Sequence, residues 1–110
     1  MVLEDRIVEY IQQFDEVREE EQHNKDDKAL RVFYCGDRIV LVIEKGTEPL
    51  RIELRCDYRL SKTLQEQYES VMESRALGRN GIEIICSGQL EHDEIIDLVR
   101  HGYEMSAPEE

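Results

Sequence analysis

Six cations crowd the middle of this 110-residue chain: Arg51, Arg55, Arg59, Lys62, Arg75 and Arg79. A guanidinium is a planar fork that grips a carboxylate or phosphate through two parallel hydrogen bonds. Arg51 and Arg55 are an even number of residues apart, so on a strand they point the same way. Arg79 is set between Gly78 and Gly81, where the chain can turn sharply and leave the side chain uncovered. Such a group can touch phosphates. Glu53 nevertheless lies between the two strand arginines on their own face, and no aromatic residue is interleaved for base stacking.

The other chemistry-bearing residues point elsewhere. Asp15, Glu16, Glu19 and Glu20, read as one helix, place Asp15 beside Glu19 and Glu16 beside Glu20. Hard oxygen donors of that kind suit weak binding of Mg, Ca, Mn or Fe, though a charge run more often just solvates a face. Asp97 and His101 share a face at the same spacing and lack a third ligand, so an ordinary pair is expected and no metal site is assigned. Cys35, Cys56 and Cys86 are odd in number, widely spaced and free of Cys-x-x-Cys pairs. They read as packed thiols of a reducing compartment, in neither a disulfide nor a zinc pattern. No phosphate loop, nucleophile elbow, metalloprotease or dinucleotide fingerprint occurs, so nothing supports catalysis and no cofactor is expected.

The charge balance weighs against nucleic acid. The chain carries a formal charge of −12. Residues 1–28 hold 10 acids and 4 bases, residues 29–81 hold 8 and 9, and residues 82–110 hold 8 and 1. Acidic ends repel nucleic acid and anionic membrane at long range, and only the middle third can present a basic patch. The opening Met-Val-Leu-Glu-Asp-Arg lacks the basic flank and apolar run of a signal peptide. The longest apolar run, Ile39 to Ile43, is too short to cross a bilayer. A cytoplasmic, soluble domain is expected.

The elements that must position these residues follow from periodicity. Leu3, Ile7, Tyr10, Phe14 and Val17, widened by Ile11, predict an amphipathic helix running out through the acids to residue 21. Residues 22–28 contain no apolar side chain beyond the helix stripe and read as a linker. Strand formers from Leu30 to Cys35, a Gly36-Asp37 turn and the apolar run after Arg38 predict a hairpin. Leu50, Ile52, Leu54 and Cys56 alternate with Arg51, Glu53 and Arg55 as a third strand. Asp57 can cap a helix carrying Leu60, Leu64, Tyr68, Val71 and Met72 on one face. Gly78-Arg79-Asn80-Gly81 reads as a tight loop before a strand from Ile82 to Cys86. Acids at Glu91, Asp93 and Glu94 favour a final helix start, and residues 106–110 form a tail. The expected fold is α+β in the order α-β-β-β-α-β-α. Its antiparallel sheet has four to five strands, its helices lie mainly on one face, and the first two pack over Leu41, Ile43, Ile52 and Leu54.

From about Val32 to Met105 the order of motifs resembles the MmcQ/YjbR-like family. The likeness rests on Gly36-Asp37-Arg38, Arg55-Cys56-Asp57, Leu64 with Tyr68, and Asp93-Glu94 leading to His101-Gly102-Tyr103-Glu104. Gly102 stands where the family has serine, and Gly81-Ile82 where a tryptophan opens the fourth strand. The resemblance implies a single domain over 1–110 with a family core at 29–105 and a CyaY-like fold. It also implies a double-wing, DNA-binding-like shape with no established activity. The missing tryptophan implies a shallower surface or a groove beside Arg79, Tyr68 and Tyr103. The candidate binding surface is therefore Arg51, Arg55, Arg75, Arg79, Tyr68 and Tyr103. The leading expectation is a non-catalytic interaction domain for a protein partner. The rival is DNA binding through the middle-third arginines, and a third reading is weak metal binding by the acidic first helix.

Overall fold

The computed structural model describes residues 2–107. Its elements run α1 (Leu3–Ile11), β1 (Val17–His23), β2 (Ala29–Cys35), β3 (Arg38–Glu44), β4 (Arg51–Arg55), α2 (Tyr58–Gln67), β5 (Val71–Ser74), β6 (Gly78–Ile85) and α3 (His92–Ser106). The strands form one antiparallel sheet in the order β1-β2-β3-β4-β6-β5. The α+β class stands, with six strands where four to five were expected. Of the tail expected over 106–110, Ser106 closes α3, and Pro108, Glu109 and Glu110 lie outside the described residues.

Both additional strands come from segments that read as helix. α1 stops at Ile11, and the polar run expected to continue it pairs with β2 instead, Val17 opposite Cys35 and His23 opposite Ala29. A charged edge strand has no apolar alternation to betray it, and its charges guard the sheet edge against further pairing. Here they also bind across the ladder: Arg31 holds Glu19 at 2.7 Å, and Lys45 holds Glu21 at 2.7 Å. α2 likewise ends at Gln67, with Tyr68 already extended. Val71 and Met72, expected on its buried face, belong to β5, where Val71 pairs with Ile84. The true hairpin turn is Arg75-Ala76-Leu77, so the predicted loop at 78–81 is the first half of β6.

The register sorts the sheet into two faces. One carries the rows Phe33, Leu41, Leu54, Ile82 and Ile43, Ile52, Ile84, Val71. These residues join Ile7, Val8 and Ile11 of α1, Leu64 of α2, and Ile95 and Val99 of α3 in one core. All three helices therefore cover that face. The neighbours differ from expectation: α3 lies on β3 and β4, α2 on β5 and β6, and α1 on α3. A 15-residue helix with a capping box between Glu91 and Glu94 spans the centre better than the short α1. No helix among the described residues is long and apolar enough to cross a membrane.

Gly102 sets how closely α3 meets the sheet. A Cβ at this position would lie 2.8 Å from the Arg55 carbonyl oxygen and 3.5 Å from that of Val40. The sheet backbone cannot yield there without shifting β4, which explains glycine where the resembling family carries serine. Gly102→Ala should destabilise the fold by about 1–3 kcal/mol through overpacking, read as a lower urea midpoint at unchanged slope.

Candidate functional site

The second face of the sheet carries the charges. Its central row is Glu20, Val32, Val42, Glu53, Glu83 and Met72, and beside it run Leu30, Glu44, Arg51 and Ile85. Glu53 and Glu83 stand directly opposite each other on β4 and β6, a like-charge pair that opposes sheet formation. Both are buried, Glu53 at 7% exposure and Glu83 at 2%, with Glu44 at 7%. A buried carboxylate persists only when its lone pairs are occupied.

The β5–β6 hairpin and Arg51 of β4 supply donors to both oxygens of Glu83 and to one of Glu53. Glu53 Oε1 accepts from Ser74 Oγ at 2.7 Å and from the Ala76 backbone N–H at 2.9 Å. Glu83 Oε1 accepts from Arg75 Nε at 2.9 Å, and Glu83 Oε2 from Arg51 Nη1 at 3.3 Å. Arg75 also stands 3.7 Å from Glu44. The neighbouring glutamates push the Arg75 guanidinium above its ordinary value, the Glu83 hydrogen bond foremost.

Two of the four candidate arginines, Arg51 and Arg75, are thus committed to buried carboxylates. Arg55 is half-buried and donates from Nε to the Ile39 carbonyl at 2.8 Å; burial, then nearby Arg38, push its guanidinium down. Arg79 lies on β6 with its guanidinium 4.5 Å from the centre of the Tyr58 ring, and Lys62 lies 5.5 Å from the same ring. Neither Arg79, Lys62 nor Arg59 has an ion pair among the described residues. The expected companions of Arg79 are engaged elsewhere: Tyr68 caps α2, and Tyr103 stacks on Phe14 with ring centres 3.9 Å apart. Sequence reasoning overlooked Tyr58, although its spacing of four from Lys62 on a helix was the available signal.

The remaining candidates have local partners. Asp15 and Glu16 lie in the turn before β1, and Glu19 and Glu20 point to opposite faces of that strand, so the helical ligand face does not exist. Glu19 pairs with Arg31 and Glu20 with Arg18. Asp97 pairs with Arg100 at 3.0 Å, while His101 Nε2 accepts the Asp57 backbone N–H at 3.2 Å. Among the described residues no three of His, Cys, Asp and Glu stand together as metal ligands. Burial pushes the Cys35 thiol up, and takes Cys56 and Cys86 to about 11.

These features define an α+β domain with one packed sheet face and one charged face. No family model matches the chain, and no curated protein matches it in sequence. Its fold is similar to the crystal structure of Deinococcus radiodurans protein DR2400, a DUF419 domain, with a TM-score of 0.76 and 19% identity. The match covers 92% of this chain and 75% of that one, and it concerns the fold alone. DUF419 is a fold of the YjbR/MmcQ-like type, so at that level the motif resemblance and the architecture agree.

Two outcomes follow from these environments. Because the Cys56 and Cys86 thiols stay protonated at neutral pH, iodoacetamide should modify them slowly in the folded chain and rapidly once it is denatured. The second concerns Tyr103, whose hydroxyl donates to Glu16 Oε1 at 2.8 Å. The Glu16 carboxyl is lowered by its own backbone N–H and by Tyr103, while the bond to Glu16 pushes Tyr103 up to about 12. The bond's contribution is complete above 4.5 and below 10, the ordinary values of the two groups. It fades as pH falls through the lowered Glu16 value or rises toward 12. Urea titrations of Tyr103→Phe and the unsubstituted chain should differ at neutral pH and converge at both extremes.

Proposed function

We propose that this chain is a non-catalytic interaction domain of the MmcQ/YjbR-like type that binds an acidic segment of a partner protein. The binding edge is Tyr58, Arg59, Lys62 and Arg79. One observation carries the reading: two cations, Arg79 and Lys62, lie over one exposed tyrosine ring with no carboxylate paired to them among the described residues. On a chain of net charge −12, Arg6, Arg18, Arg31, Lys45, Arg51, Arg75 and Arg100 have acidic partners; Lys62 and Arg79 differ from the other unpaired cations among the described residues in sharing one aromatic face. Cations spread on an aromatic face leave their N–H donors directed outward for a carboxylate.

The same observation disfavours duplex DNA. Phosphate tracking needs a continuous basic surface. Arg51 and Arg75, which would extend the edge across the sheet, are bound to Glu83. The partner's carboxylates therefore meet a compact cationic edge on a chain whose net charge of −12 repels long polyanions.

Fluorescence anisotropy with a labelled oligoglutamate peptide and a labelled DNA duplex, both at low salt, tests the reading. The peptide should bind and the duplex should not. Arg79→Ala and Lys62→Ala should each weaken the peptide by about two- to fivefold, the scale of an exposed charge contact. Duplex binding that depends on the same residues would transfer the edge to nucleic acid. Binding of neither probe would overturn the reading.

A further inference from the structure

On the charged face, the β1–β2 turn and the β5–β6 turn rise on either side of a cleft of about 520 Å³. His23, Lys25, Leu30, Glu53, Arg75 and Ala76 line it. This cleft is separate from the Tyr58 edge, and the carboxylate in it is built in a particular way. Glu53 is more than nine-tenths buried, and both its protein donors, Ser74 Oγ and the Ala76 N–H, go to Oε1. Oε2 receives none among the described residues. It is also absent from the fully enclosed atoms that lack a partner, a class that holds only the Ser70 hydroxyl among those residues. Oε2 is therefore an acceptor that reaches the cleft, held in place by the two bonds on its twin oxygen.

Two cations, Lys25 and Arg75, are part of the lining, and Asp26 of the Lys25 turn lines the cleft as well. Arg75 commits Nε to Glu83 and approaches Glu44 with Nη2, leaving Nη1 without a partner among the described residues. Lys25 belongs to a turn fixed by Asn24, whose side-chain oxygen accepts the Asp26 and Lys28 backbone N–H groups at 2.9 and 3.0 Å. Leu30 supplies an apolar part of the lining. An acceptor and cationic donors in one cleft are complementary to a molecule that is cationic at one end and anionic at the other.

We propose that this cleft binds a small zwitterion of the free α-amino-acid class. The ammonium donates to Glu53 Oε2, the carboxylate accepts from Lys25 Nζ and Arg75 Nη1, and the side chain rests on Leu30. A ligand carrying only one of the two charges satisfies half of the site and leaves the opposite charge of the cleft unpaired.

Backbone-amide NMR shifts of the full chain, titrated with a panel of free L-amino acids, test the proposal. Butylamine and acetate serve as the two half-ligands. Amino acids should move the Lys25, Leu30 and Ala76 amides saturably, and at concentrations where neither half-ligand does. Glu53→Gln keeps a carbonyl oxygen for Ser74 and Ala76 and turns an NH₂ donor toward the ammonium, so affinity should fall by about tenfold or more. Lys25→Ala, on an exposed turn that leaves the core untouched, should weaken amino acids while leaving the response to butylamine unchanged. No saturable shift with any amino acid overturns the proposal. So does a Glu53→Gln or Lys25→Ala protein that keeps full affinity, or a half-ligand that binds as well as the amino acid.

Discussion

Two glutamates facing each other across the central strands constrain this fold more than any other pair. Glu53 and Glu83 are opposite in register, nearly inaccessible, and on the face that no helix among the described residues covers. In that position neither can keep its hydration, and each repels the other. The sheet tolerates them because one hairpin divides them. Ser74 and Ala76 take Glu53, while Arg75, joined by Arg51, takes Glu83. All of these donors except Arg51 of β4 come from β5 and its turn, so the carboxylates require the hairpin. The hairpin in turn requires α2 to end at Gln67, early enough for Val71 to enter the sheet beside Ile84.

This arrangement sets apart two groups among the basic residues of the middle third. Arg51 and Arg75 are internal counter-ions, and removing them would leave buried charge uncompensated. Arg59, Lys62 and Arg79 have no counter-ions among the described residues, and Lys62 and Arg79 lie over the Tyr58 ring. Elsewhere acids of the first third pair with cations of the middle third, Glu19 with Arg31 and Glu21 with Lys45. A strongly negative chain thereby keeps two cations, Lys62 and Arg79, over one exposed tyrosine ring. The leftover acceptor of Glu53 is a second consequence of the same division, since the hairpin satisfies only one of its two oxygens.

Much of the core was legible in the sequence. The alternation of Ile52 and Leu54 with Arg51, Glu53 and Arg55 gave β4 and the polarity of its two faces, and the run from Ile39 to Ile43 gave β3. Asp57 caps α2 through the Arg59 and Leu60 N–H groups, as its place between the two periods implied. The misreadings share a physical origin. Phe14 and Val17 keep the helical stripe of α1 although they pack from a turn and a strand, and Val71 keeps that of α2 although it packs from β5. A residue reaching the same core from a different backbone is invisible to periodicity. The partners of Arg51 and Arg75 were hidden for another reason. Glu83 sits in a strand whose neighbour in the sheet is fixed only by the crossover through α2 and β5.

The claim that Arg75 is an internal counter-ion is tested most directly by a double-mutant cycle between Arg75 and Glu83. Urea stability would be measured for Glu83→Gln, Arg75→Gln and the double variant. Arg75 remains 60% exposed, which screens the pair, while Glu83 at 2% does not let the charge escape to water. The predicted result is a coupling of about 1–2 kcal/mol, the double variant being less destabilised than the two single effects combined. Strict additivity, with Arg75→Gln alone costing nothing, would contradict it and return Arg75 to the free surface.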